Sequence, residues 1–185
     1  ETILTTNDIG HGDEVIVPSQ TFIATASAVV RKGARPVFAE INNYFLLDFE
    51  DMKSKITGKT KAVICVHFAG LIDENLLEIK SWLKERGILL IEDAAHALGG
   101  KDARGNAVGR CTYSLMTVLS FHPVKSITSA EGGMVLTNDA SLATLLRRYA
   151  THGINRDESL FEAENRDQPW FYTQLELGFN YRLSD

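Results

Sequence analysis

The chain has 185 residues, of which 44% are hydrophobic and 23% charged, with a net charge of −5. That is enough chain to bury a real core as one soluble domain. The acidic balance argues against nucleic-acid binding: the densest basic stretch, Lys53, Lys55, Lys59 and Lys61, is flanked by acidic residues and is expected to be solvated surface.

No apolar run approaches the ~18 residues of a membrane span. The opening ETILTTNDIG lacks the basic and apolar regions of a signal peptide. Two cysteines, Cys65 and Cys111, do not make a disulfide framework, so a cytoplasmic location is expected. A start at Glu1 and an end at Leu183-Ser184-Asp185 read as part of a longer protein.

In chain order, Glu14–Pro18 reads as a strand stopped by proline. Thr21–Lys32 places Phe22, Ala26, Val29 and Val30 on one helical face, with Gly33 as terminator. Pro36–Ile41 is a second short strand. Lys61–Val66 is a continuous apolar run, as expected of a strand covered on both faces. Asp73–Arg86 repeats Leu76, Ile79 and Leu83 at helical spacing before Gly87. Ile88–Ile91, Tyr113–Phe121 and Gly133–Leu136 read as three more strands. Ala140–Ala150 is a helix capped by Asn138 or Asp139. Residues 155–170 are polar and acidic, and read as a loop or flap. Strands separated by helices predict an α/β fold, mostly parallel, with helices on both faces of the sheet.

In such a sheet, ligands bind at the carboxyl ends of the strands. Polar residues collect there: Ser19-Gln20-Thr21-Phe22, His67-Phe68-Ala69-Gly70, Glu92-Asp93-Ala94-Ala95-His96 and Ser120-Phe121-His122-Pro123-Val124-Lys125. Asp93 follows a buried strand, where an unpaired carboxylate is costly. A cap on Ala94–His96 explains it slightly better than a ligand contact. Lys125 precedes the small run Ser129-Ala130-Glu131-Gly132-Gly133. A lone lysine is usually solvated, but a desolvated one suits Schiff-base chemistry. The five histidines show no metal-binding spacing, and dinucleotide, phosphate-loop and nucleophile-elbow motifs are absent.

Ordered blocks along almost the whole chain carry a resemblance: GDEVIVPSQTFIATASAV, GARPVFAEI, TKAVICVHFAG, IEDAAHALGG, SFHPVKSITSAEGGMVLTND and GFNYRLSD. They resemble the sugar aminotransferases of the DegT/DnrJ/EryC1/StrS type, with wording closest to the pseudaminic-acid-type UDP-amino-sugar transaminases. The resemblance implies a fold-type I large domain over residues 1–185, without the N-terminal phosphate-loop segment and the C-terminal small domain. It implies pyridoxal 5′-phosphate as cofactor, a homodimer with sites at the interface, and transfer of an amino group from an amino acid, glutamate above all, to a nucleotide-linked keto sugar. Lys125 then matches the lysine that carries the cofactor, and Asp93 the partner of its pyridine nitrogen. His96 stands beside the ring's phenolic oxygen, Ser120 at the phosphate, and Phe22 against the ring face. Asn180, with Arg182 nearby, matches a segment reaching the neighbouring subunit's site. Related sugar dehydratases carry His in place of the lysine, so Lys125 speaks against that alternative. A non-catalytic core fragment is the other.

Overall fold

In the computed structural model, which describes residues 1–157, 159, 161, 162, 165 and 168–181, the chain winds around one buried strand. A short helix α1 (Thr2–Thr6) leads into that strand, β1 (Glu14–Pro18). Helix α2 (Ala24–Arg31) carries the chain to β2 (Arg35–Ala39), parallel to β1 on one side. Helix α3 (Phe49–Lys55) returns it to β3 (Thr60–Val66), parallel to β1 on the other. Helix α4 (Leu76–Lys84) leads to β4 (Leu89–Asp93), and β5 (Met116–Ser120) continues the parallel run. The last strand, β6 (Gly133–Leu136), is antiparallel to β5, so the sheet order is β2-β1-β3-β4-β5-β6. Helix α5 (Ala140–Ala150) and a small ribbon of β7 (Ile154–Asn155) and β8 (Thr173–Gln174) follow.

Side-chain alternation sorts the strands into two cores. Val15, Val17, Ile64, Val66 and Ile91 face Leu4, Val29 and Leu146, which come from α1, α2 and α5. Ile16, Val63, Cys65 and Leu90 face Met52, Ile79 and Leu83, which come from α3 and α4. Both sheet faces are therefore covered, as the near-continuous apolar strands require. Neighbouring residues of one strand thus serve opposite faces, and that parity decides the surroundings of Glu92 and Asp93.

The expected α/β fold is the observed one, with differences in detail. Helix α3 falls where solvated surface is expected. Its N-cap Asp48 accepts from the Asp51 N–H, and Met52 is fully buried. A parallel return from β2 to β3 needs a crossover, and α3 supplies it. Helix α2 starts at Ala24 rather than Thr21. Gly33 ends it with φ 78, donating its N–H to the Val30 carbonyl. Asp139, not Asn138, caps α5 by accepting from the Leu142 N–H; Asn138 instead donates to the Arg110 carbonyl. Cys65 is a buried thiol and both cysteines are free. Within 155–170, residues 158, 160, 163, 164, 166 and 167 lie outside the described residues; Phe161 is buried, and its ring meets Phe171 edge-on at 5.0 Å. Among the described residues no helix is long and apolar enough to cross a membrane.

Candidate cofactor site

Strands β1, β3, β4 and β5 run parallel, so their carboxyl ends share one edge of the sheet. Asp93 is the last residue of β4 and Ser120 the last of β5. Asp93 has the parity of Ile91, so its side chain faces α2. There Thr25, 7% exposed, donates its hydroxyl to Asp93 Oδ2 at 3.1 Å. The other oxygen, Oδ1, accepts the Ala95 N–H at 3.1 Å. The capping expected of Asp93 is therefore real, but it serves a turn and not a helix. Each oxygen accepts one hydrogen bond here, whereas a carboxylate offers about four lone-pair positions. Asp93 is fixed in place and still able to accept from a ligand.

One turn before Thr25 along the chain, Phe22 stands 73% exposed at the entry to α2. Its carbonyl accepts the Thr25 N–H at 3.1 Å, which ties the two residues locally. His96 lies on the turn after β4, and its Nδ1 accepts the Ala69 N–H at 3.3 Å. Lys125 lies in the connection between β5 and β6, half-buried, with its N–H donated to the His122 carbonyl. That connection is closed at its base by Phe121 N–H to the Gly132 carbonyl at 2.9 Å and Ser129 N–H to the Phe121 carbonyl at 3.0 Å. Gly133 sits opposite Ser120, and a Cβ there would come within 2.9 Å of the Leu119 carbonyl. Glycine is required where the two chains approach that closely.

The fold thus brings Phe22, Asp93, His96, Ser120 and Lys125 to one end of the sheet, on the segments that leave β1, β4 and β5. Asn180 follows β8. It is exposed, bridges to Thr151 just past α5, and lines an open groove of about 730 Å³ between α5 and the β5–β6 pair. Arg182 lies outside the described residues. No group of three or more His, Cys, Asp or Glu that could hold a metal occurs among the described residues.

Three features of the site escape the sequence reading. Thr25 is the first; its position three residues after Phe22 at the start of a helix is the available signal. The Ala69 N–H is the second, and no residue-type pattern announces a backbone donor. The third is a buried pair beneath the site. His67 Nε2 and Glu92 Oε2 lie 2.8 Å apart, with the residues 1% and 4% exposed. Strand parity foretells it, because His67 continues Val63 and Cys65, and Glu92 continues Leu90. Burial pushes the Glu92 carboxyl up, but hydrogen bonds from His67 and Ser114 more than reverse this and hold it below the ordinary value. Burial raises the nearby Asp73 carboxyl, against the hydrogen bonds from Asn75, and pushes the Cys65 thiol well up.

Residues suited to pyridoxal phosphate are present at this edge. A fixed carboxylate with spare acceptor capacity suits a protonated ring nitrogen. An exposed aromatic ring suits a planar ligand, and a lysine on the adjoining connection suits a carbonyl.

Known proteins share this sequence pattern and this fold. The model of the DegT/DnrJ/EryC1/StrS aminotransferase family matches residues 1–185. An aminotransferase from Psychrobacter cryohalolentis is 34% identical with a TM-score of 0.86, covering 98% of this chain and 45% of that one. Helicobacter pylori PseC, an aminotransferase involved in the biosynthesis of pseudoaminic acid, is 30% identical with a TM-score of 0.85, covering 98% and 46%. The uncharacterized protein MJ1066 of Methanocaldococcus jannaschii is 36% identical over 179 residues, 96% of this chain and 45% of that protein. The chain spans a little under half the length of the relatives it matches. It belongs to the DegT/DnrJ/EryC1/StrS aminotransferase family.

Proposed function

We propose that the protein is a pyridoxal-phosphate-dependent sugar aminotransferase, taking an amino group from an amino acid, glutamate first among them, and passing it to a nucleotide-linked keto sugar. The observation that carries this reading is Asp93: a strand-end carboxylate held by Thr25 and the Ala95 N–H, on the same sheet edge as Lys125. Similar structures support it, among them a putative sugar aminotransferase from Streptococcus pneumoniae in PLP and PMP forms.

When bound, the cofactor supplies an electron sink for carbanion-like charge next to the reacting nitrogen. Asp93 would keep the ring nitrogen protonated, since an adjacent anion favours the charged form. Lys125 would hold the cofactor's carbonyl carbon through its Nζ, and the same amine, when free, would be the base that takes the proton from the amino donor's Cα. Phe22 would stack against the ring, His96 would bond the phenolic oxygen, and Ser120 would bond the phosphate. The protein works as a homodimer, and Asn180 serves the neighbouring subunit's site. Exposed apolar side chains at the site end, including Phe22, Val124 and Ile127, support a covered surface there.

Full-length protein mixed with pyridoxal phosphate is expected to show a visible absorbance band that is missing in Lys125→Ala. It is expected to consume glutamate when a panel of nucleotide-linked keto sugars is added. A cofactor-loaded protein that consumes glutamate with none of them overturns the assignment.

A further inference from the structure

The His67–Glu92 pair is buried, polar and outside the group of residues that face the cofactor. A buried imidazole against a carboxylate is costly to desolvate and contributes little net stability, so its place in the fold calls for another reason. Both ends of His67 are tied to β4: its N–H donates to the Asp93 carbonyl at 2.9 Å, and its ring meets Glu92. The turn that follows, Phe68–Gly70, is unusual. Ala69 adopts φ 52, a left-handed conformation that is strained for a residue with a Cβ. Such a residue persists only where its neighbours over-determine it. Here Gly70 N–H bonds the His67 carbonyl at 3.1 Å, and Phe68 packs on Phe45 at 5.3 Å and edge-on to His96 at 6.2 Å. The strained turn aims the Ala69 N–H at His96 Nδ1.

A ring nitrogen that accepts a backbone N–H cannot carry a proton. In the neutral ring the proton must then sit on Nε2, because the partner of one nitrogen fixes the tautomer of the other. We propose that His67, clamped by Glu92, is a positioning residue that holds the Phe68–Gly70 turn so that Ala69 N–H fixes His96 as the Nε2–H tautomer, a ready donor to an anionic oxygen. That this oxygen is the cofactor's phenolic one rests on the proposed function; the tautomer does not.

Nitrogen-15 histidine NMR on the cofactor-free, full-length protein tests this, about two units above the ordinary histidine pKa of ~6.5. The His96 signals are assigned by their loss in His96→Gln. Wild type is expected to show a protonated Nε2 and a bare Nδ1; a proton on Nδ1 overturns the proposal whatever any variant does. Glu92→Gln retains a hydrogen-bonding partner for His67 and is expected to preserve the tautomer. The double variant His67→Leu, Glu92→Leu leaves no buried charge unpaired. It is expected to fold, to give mixed His96 tautomers, and to speed exchange of the Ala69 amide by ~10-fold or more. A folded double variant with an unchanged tautomer and unchanged Ala69 protection overturns the role of His67. Because the readout needs no cofactor, its outcome is separate from the lysine-dependent absorbance band.

Discussion

At the scale of single residues, the site depends on how Asp93 is held. A strand-end carboxylate could swing among rotamers or find a solvent-side partner; Thr25 and the Ala95 N–H prevent both. Thr25→Val keeps the shape and removes the donor. A hydrogen bond to a charged group contributes ~1.5–3 kcal/mol, and the half-exposed setting of Asp93 puts this one toward the low end. Urea unfolding of Thr25→Val is therefore expected to show a loss of about 1–2 kcal/mol. On the proposed function, in which Asp93 partners the ring nitrogen, pyridoxal phosphate titration is expected to show binding weakened by ~5-fold or more, because that partner is then less ordered. The strand-end rule places Asp93 and Ser120 at the carboxyl edge from the sequence alone, where the structure has them; the roles proposed for them come from the family resemblance. Thr25 lies 68 residues from Asp93, a separation that no local pattern bridges.

At the scale of elements, caps and crossovers do the specifying. Asp139→Ala is expected to cost about 1 kcal/mol, read as a lowered Tm, and Asn138→Ala distinctly less, since only Asp139 accepts a first-turn N–H of α5. Met52→Ala in α3 is expected to cost ~2–5 kcal/mol at constant m-value, because the side chain is fully buried between helix and sheet. Elements with a strong local signal were legible: β1, β6 and α5 match the sequence bounds. Helix α3 was not, for a physical reason. Its FEDMKSK offers one buried residue in seven, too little for a periodic pattern, and the demand for it comes from the β2-to-β3 return. Strand β4 runs past the apolar Ile88–Ile91 to include Glu92 and Asp93, which the sequence hides because a carboxylate looks like the start of a turn.

At the scale of the whole molecule, opposed buried carboxylates set the response to acid. Glu92 sits below its ordinary value of 4.5 in the folded state, so its ionised form favours folding. That stabilisation is complete above about pH 4.5 and is lost as pH falls through the folded value. Asp73 is raised from 3.8, so its protonation favours the fold and opposes the loss. Urea midpoints measured against pH are expected to fall less steeply in Glu92→Gln than in wild type below about pH 4.5. Topology adds a kinetic asymmetry. Lys125 lies on the sequence-local connection between β5 and β6, residues 121–132, whereas Asp93 meets Thr25 only after β1, β3 and β4 have come into register. Local loops close quickly and non-local parallel pairing is slow. The connection bearing the lysine is thus expected to gain protection early in pulsed hydrogen exchange, with the Thr25–Asp93 contact among the last to form. A folding chain therefore holds its amine on a formed connection before the carboxylate that would tune it is in place, and competence at this edge arrives only with the final closure of the sheet.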